Sequence, residues 1–170
     1  MNSREKLLKQ LGIAHPIVQA PMAGVSTPQL AAAVTNSGAL GSLGIGASTA
    51  AQAREMIEQT QALTSGPFNV NVFCHQPARR DAEMEAGWVK HLAPLFAEAG
   101  IEPPDSLSEI YTSFVEDDET LQVLLELKPA VVSFHFGIPS ADRIAALKGV
   151  GVYIMATATS PREAKEIEAA

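Results

Sequence analysis

The chain has 170 residues, of which 46% are hydrophobic and 18% charged, and its formal net charge is −7. This length allows one domain with a substantial core, and an acidic chain without a basic run argues against nucleic acid as a partner. There is no apolar run of the roughly 18 residues that a membrane-spanning helix needs and no signal-peptide pattern, so we expect a cytoplasmic protein without a membrane partner. The one cysteine, Cys74, argues against a disulfide framework or a zinc site, and we expect no metal.

Segments typical of strands and of helices alternate along the chain. Hydrophobic periodicity and the Gly, Pro and Ser/Thr punctuation predict helices over 3–11, 28–37, 49–63, 79–99, 118–127, 140–147 and from 160 onward. The same signals predict strands over 16–20, 39–43, 68–73, 130–135 and 150–156.

Repeated strand–helix units with apolar strands predict an α/β fold, in which a parallel sheet is flanked by helices. Such units form either an open doubly wound sheet or a closed (β/α)8 TIM barrel, which typically takes about 250 residues. We interpret residues 1–170 as the N-terminal part of a single TIM-barrel domain, covering about the first five units. An open sheet is the alternative.

The stretch from Val131 to Gly137 predicts a buried strand that ends in a histidine, His135. In parallel α/β sheets, ligands bind outside the carboxyl ends of the strands. An imidazole titrates near neutral pH, so His135 could take a proton from an acidic carbon or hold an anionic substrate. The alternative is a histidine that is hydrogen-bonded for structural reasons.

Two further strand ends carry groups that could contact a ligand. The small residues around Ala20, Pro21 and Met22 would let a flat heterocycle approach the backbone, although an ordinary strand-to-helix turn has the same composition. Asn69 and Asn71 share one face of their strand, and buried amides need partners, which a polar ligand or a loop backbone could supply. Asn71 is nearer the end of the strand and is the better ligand candidate.

Two other positions are open to more than one interpretation. Adjacent Cys74 and His75 face opposite ways on an extended chain, so a buried thiol that anchors a loop is favoured over a nucleophile. Thr157 could donate a hydrogen bond to a ligand. Thr159 and Ser160 could equally well cap the helix that follows them.

Five segments together resemble the nitronate monooxygenase family, formerly called 2-nitropropane dioxygenase, and in particular its class I members. The two most specific contain Asn71 and His135, and the first is shared with related flavin barrels such as the enoyl reductases. In chain order the segments are Gln19–Gly24, Gly38–Gly41, Asn69–His75, Val132–Gly137 and Ala156–Thr159.

The resemblance implies a TIM barrel that holds FMN at its C-terminal face and oxidises alkyl nitronates, such as propionate 3-nitronate, with O₂ and without NAD(P)H. It implies that backbone of Ala20, Pro21 and Met22 lies against the flavin and that Asn71 hydrogen-bonds it. It also implies that His135 binds the nitronate and, in members that accept neutral nitroalkanes, removes the α-proton.

The family pattern also includes later strands and phosphate-gripping loops that follow the last segment found here. We therefore expect these residues by themselves to bind FMN poorly and to expose two sheet edges. Two alternatives to the nitronate enzyme remain. One is a related flavin barrel such as an enoyl reductase, and the other is a non-catalytic half-barrel that forms a homo-oligomer to cover its edges.

Overall fold

The computed structural model describes residues 2–170. Residues up to Gln76 together with Tyr111–Ala170 form one compact unit, and Pro77–Ile110 form a second. Helix α4 belongs to the second unit and the other elements to the first. In chain order the elements are α1 (Ser3–Leu11), α2 (Pro28–Asn36), β1 (Gly41–Gly44), α3 (Ala50–Leu63), β2 (Phe68–Phe73), α4 (Ala82–Ala99), α5 (Asp118–Leu127), β3 (Val131–His135), α6 (Ala141–Gly149), β4 (Tyr153–Ala156) and α7 (Pro161–Ala169).

The four strands form one parallel sheet in the order β1-β2-β3-β4. Gly44 lies opposite Asn71, Asn71 opposite Ser133, and Phe73 opposite His135. Strands that are sequential in the chain and adjacent in the sheet are what right-handed strand–helix units produce. The predicted parallel α/β arrangement is confirmed, and each strand that was predicted from residue 39 onward is present with slightly different bounds.

The strand predicted over 16–20 is not formed. In the structure this segment makes an isolated parallel bridge between Val18 and Leu40, and no longer ladder is found there among the described residues. Pro16 and Pro21 bracket the segment, and a proline has no N–H with which to extend a ladder. The bridge still places the segment beside β1.

Side-chain caps start several of the helices. Thr27 and Thr49 each accept the backbone N–H three residues on. At Ser160, which was named as a possible cap, only half of a capping box forms. Ser160 Oγ accepts from Glu163 N at 3.2 Å, but the Glu163 carboxylate accepts from the N–H and the hydroxyl of Thr159. Thr159 offers two donors, so it binds the carboxylate in preference to the single N–H of Ser160.

The sheet has an apolar face and a polar face. Val70 and Val72 of β2 pack in a core with buried residues of the surrounding helices, which include Ile57 and Leu124. Side chains alternate along a strand, so the intervening positions point to the opposite face. That face is also buried, and it carries the polar residues Ser42, Asn69, Asn71 and Ser133 beside the apolar Leu40 and Val131.

The second unit is held together by local polar contacts. The Asp81 carboxylate accepts the N–H groups of Glu83 and Met84 and so starts α4. Arg80 pairs with Glu85 through two hydrogen bonds of 2.5 Å, which lower the pKa of the Glu85 carboxyl. In the described part of the chain, no helix has both the length and the apolar character to cross a membrane.

Candidate active site

The carboxyl ends of β1, β2 and β3 bring the predicted site residues to one edge of the sheet. Asn71 is paired in register with Gly44 on one side and with Ser133 on the other. His135 lies two residues beyond Ser133, so it shares the face of Ser133 and stands closer to the strand end. Asn71 and His135 therefore belong to the same polar face and the same edge.

Asn71 is fully buried and only partly satisfied. Its Nδ2 donates to Ser133 O at 3.0 Å and to Ser133 Oγ at 2.9 Å. Its Oδ1 is buried and has no hydrogen-bond partner among the described residues. A buried polar atom without a partner costs about 1–3 kcal/mol, so a donor from a ligand would be accommodated favourably here.

Asn69, which lies two residues before Asn71 on β2 and so farther from the strand end, repeats this arrangement. Its Nδ2 donates to Ser42 Oγ at 3.2 Å, and its Oδ1 is also buried without a partner in the described chain. Both asparagines were expected to find a partner in a ligand or in a loop backbone. In the structure a serine of the adjacent strand holds each amide nitrogen, which leaves the amide oxygens open.

The segment Ala20–Met22 is held against the same edge by Ser26. Ser26 Oγ accepts the N–H of Met22 at 2.9 Å and donates to Ala20 O at 3.3 Å. A Cβ on Gly44 would lie 3.1 Å from the Met22 carbonyl carbon, so the glycine lets this segment approach the end of β1. Ala20 and Met22 are exposed and Pro21 is half-buried, so the segment lies at the surface of this edge.

His135 is half-buried, and contacts on several sides fix its ring. Its Nδ1 lies 2.5 Å from Thr157 Oγ1. The ring centroid lies 6.3 Å from that of Phe73 and 6.1 Å from that of Phe136. Its backbone O accepts the Cys74 N–H at 2.8 Å. The histidine is therefore a packed, hydrogen-bonded residue that also lines a cavity.

The chain turns away from the sheet through two unusual backbone conformations. Phe136 has φ 66°, in the left-handed region, although its side chain is 68% exposed. Gly137 has φ 120°, and a Cβ there would lie 3.1 Å from Cys74 O. The Phe136 ring meets Phe73 edge-on at 5.0 Å. Strained residues of this kind are enriched at ligand-binding sites.

A cavity of about 580 Å³ opens beside His135, within the size range of ligand pockets. Glu163 lies in its wall, and the backbone N–H and hydroxyl of Thr159 lower the pKa of this carboxyl. The cavity thus combines an imidazole with hydroxyl, carboxylate and apolar groups. Its lining is His135, Phe136, Gly137, Ile138, Thr157, Thr159, Glu163, Glu166 and Ile167.

Cys74 is a buried thiol. Its side chain is 4% exposed, and burial raises its pKa to about 12. The thiol is therefore protonated at neutral pH and is a poor nucleophile. This confirms the interpretation of Cys74 as a loop anchor, and its N–H holds the carbonyl of His135.

Several residues that build the site were not picked out in advance. Ser133 was missed, although it stands two residues before His135 and so had to share its face. Ser26 was not predicted as a site residue, yet it is buried and holds the Ala20–Met22 segment. Gln19 was quoted only as part of a motif, but its amide bonds the backbone of Ser42 in both directions, at 3.0 and 3.2 Å.

The parallel sheet, with polar groups at the carboxyl ends of its strands, defines a segment of an α/β barrel with a candidate active site. The sequence profile described as nitronate monooxygenase matches residues 4–170. The chain belongs to the nitronate monooxygenase family, as the resemblance of its motifs predicted.

Similar proteins and structures agree with this assignment. The chain is 59% identical to a nitronate monooxygenase of Paraburkholderia phytofirmans and 52% identical to one of Pseudomonas aeruginosa, with 98% of this chain covered in both cases. A solved nitroalkane oxidase from Streptomyces ansochromogenes superimposes with a TM-score of 0.83 at 41% identity over 96% of this chain. FabK from Thermotoga maritima superimposes with a TM-score of 0.68 at 27% identity. These neighbours confirm the partial TIM barrel.

The matches cover only part of the known proteins. The chain spans 46% and 47% of the two nitronate monooxygenases and 45% of the nitroalkane oxidase chain. The residues described here therefore correspond to a little less than half of those proteins.

Proposed function

We propose that the protein is an FMN-dependent nitronate monooxygenase, which oxidises alkyl nitronates of the propionate 3-nitronate type with O₂ and without NAD(P)H. Membership of the nitronate monooxygenase family supports the reaction class. The single observation that carries the proposal is the position of His135, which lies at the carboxyl end of β3 and lines a cavity of about 580 Å³.

The residues of the edge fit a flavin. The orphaned Oδ1 of Asn71 can accept a hydrogen bond from the N–H of a heterocycle. Ala20, Pro21 and Met22 would lie along the flavin, with Ser26 fixing their backbone. In this proposal residues 1–170 are the N-terminal part of one FMN-binding barrel domain. FMN, when bound, supplies the electron-transfer chemistry.

His135 has the task of holding the substrate. A nitronate is an anion with an electron-rich α-carbon, so the N–H of an imidazole can bind its oxygens and orient the carbon. With a neutral nitroalkane the same ring can take the α-proton, provided that its free nitrogen is unprotonated. Phe73 and Phe136 pack around the ring and reduce its contact with water.

The test is O₂ uptake by the purified protein with propionate 3-nitronate, compared with its His135→Asn variant. We expect turnover without NAD(P)H, and a loss of about tenfold to a hundredfold in kcat/KM for the variant, since a hydrogen bond to a charged group is worth about 1.5–3 kcal/mol. Oxidation of NAD(P)H with an enoyl thioester, and none of nitronates, would favour the related flavin reductase instead. Unchanged nitronate turnover in His135→Asn would refute the role of the histidine.

A further inference from the structure

We propose that Thr157 is the positioning residue of His135, and that its hydroxyl holds Nδ1 so that Nε2 is the nitrogen presented to the substrate. The proposal rests on the proposed function of His135 and adds a residue to it. Thr157 follows β4 directly and is hydrogen-bonded to the ring of His135, so in this proposal it acts through the histidine.

The sheet register places the two side chains together. Phe134 pairs with Ala156, so the next residues along, His135 and Thr157, are cross-strand neighbours on the opposite face. The N–H of Thr157 donates to Phe134 O at 3.0 Å, which continues the ladder past the end of β4. Backbone geometry therefore fixes Thr157 beside the imidazole, and the 2.5 Å contact between Oγ1 and Nδ1 follows from it.

The contact decides which nitrogen of the ring is available. A neutral imidazole has one N–H donor and one acceptor, and the partner of one nitrogen sets the role of the other. When the Thr157 hydroxyl donates to Nδ1, the proton resides on Nε2, which then donates to an anionic nitronate oxygen. When the hydroxyl instead accepts from Nδ1–H, Nε2 is unprotonated and can take the α-proton of a neutral nitroalkane. When the ring becomes protonated, the hydroxyl can rotate and accept from Nδ1–H, so the contact is kept in both charge states.

The neighbouring threonine has a different role, which makes it a matched control. Thr159 lines the same cavity, but its hydroxyl and N–H bind the carboxylate of Glu163 at the start of α7. Removing the hydroxyl of Thr159 should therefore leave the ring of His135 unaffected. Removing that of Thr157 should free the ring, although valine keeps the volume and branching of threonine.

The experiment compares Thr157→Val, Thr157→Ser and Thr159→Val in the purified, flavin-loaded protein. The first readout is the ¹⁵N chemical shifts of the His135 ring across pH, assigned with a His135→Asn sample. We expect the ring shifts of the unmodified protein, Thr157→Ser and Thr159→Val to agree with one another. We expect the ring shifts of Thr157→Val to differ from them, because Nδ1 has lost its hydrogen-bond partner. Ring shifts in Thr157→Val that match the unmodified protein would overturn the proposal.

The second readout is kinetic. We expect kcat/KM for propionate 3-nitronate to fall about tenfold in Thr157→Val, which is the effect of losing one hydrogen bond, and to recover in Thr157→Ser. Thr159→Val is a control for the ring shifts only, because Thr159 lines the same cavity as His135. If the ring shifts move as expected but none of the proteins oxidises nitronates, the positioning of His135 stands and the proposed function fails. A kcat/KM in Thr157→Val equal to that of the unmodified protein would overturn the positioning role while the proposed function stands.

Discussion

Replacement of Asn71 by leucine separates the two tasks of this side chain. The change removes two hydrogen bonds to Ser133, of 2.9 and 3.0 Å, each worth about 1 kcal/mol. It also leaves the Ser133 carbonyl short of a donor, although burial of the leucine and loss of the orphaned Oδ1 offset part of this cost. We expect the free energy of unfolding of the flavin-free protein to fall by about 2 kcal/mol.

The matched control is Asn69→Leu, which removes a single bond of 3.2 Å to Ser42 Oγ and lies farther from the strand end. We expect it to destabilise the protein by about 1 kcal/mol. The assay pairs urea unfolding with titration of FMN fluorescence. The account predicts at least tenfold weaker FMN binding for Asn71→Leu and little change for Asn69→Leu. Equal FMN affinities in the two variants would refute the assignment of Asn71. Asn71→Ser provides a milder test if the leucine variant does not fold.

Three further outcomes follow from the structure. Gly41→Ala should prevent stable folding or lower the free energy of unfolding in urea by several kcal/mol, because the added Cβ would lie 2.0 Å from the backbone O of Ala31. A variant as stable as the unmodified protein would refute this packing. Cys74 should react with a thiol reagent at pH 8 only after unfolding. Rapid labelling of the folded protein would contradict the burial. Burial raises the pKa of this thiol to about 12, above the value of about 8.5 for an unfolded cysteine. The contribution of the thiol to the free energy of unfolding should therefore be constant in neutral buffer and decline as pH rises from about 8.5 towards 12. Lys128 ends α5 in the left-handed conformation, with φ 48°, which glycine adopts without strain. Lys128→Gly should therefore raise the free energy of unfolding by about 1 kcal/mol, and a loss of stability would refute the strain argument.

The order of strands and helices could be predicted because the hydrophobic periodicity of each segment, and the Gly, Pro and Ser/Thr residues between segments, agree with the fold. The alternation of Val70 and Val72 with Asn69 and Asn71 fixed which face of β2 meets the helices, and the structure keeps that division. The prediction of a strand over 16–20 failed although the segment is apolar, because Ile17 and Val18 are exposed and the segment pairs through a single bridge. Its flanking prolines already indicated that a full ladder could not form.

The placement of the candidate site was only partly predictable. His135 and Asn71 were found because a polar residue at the end of an apolar strand is conspicuous. Their partners, Ser133 and Thr157, are set by strand register, which a single sequence does not specify until the pairing is known. The left-handed conformation of Phe136 was not foreseen at all, because it depends on packing against Phe73 and has no local sequence signal.

The central claim is that this edge of the sheet holds FMN for nitronate oxidation. The most direct measurement is the visible absorption spectrum of the purified protein, with any released chromophore identified by chromatography. The account predicts a flavin spectrum with FMN as the released species, close to one per complete barrel, and weaker FMN binding by residues 1–170 alone. A colourless protein that takes up no FMN when it is added would contradict the account, and would favour a non-catalytic barrel segment that keeps the family's fold.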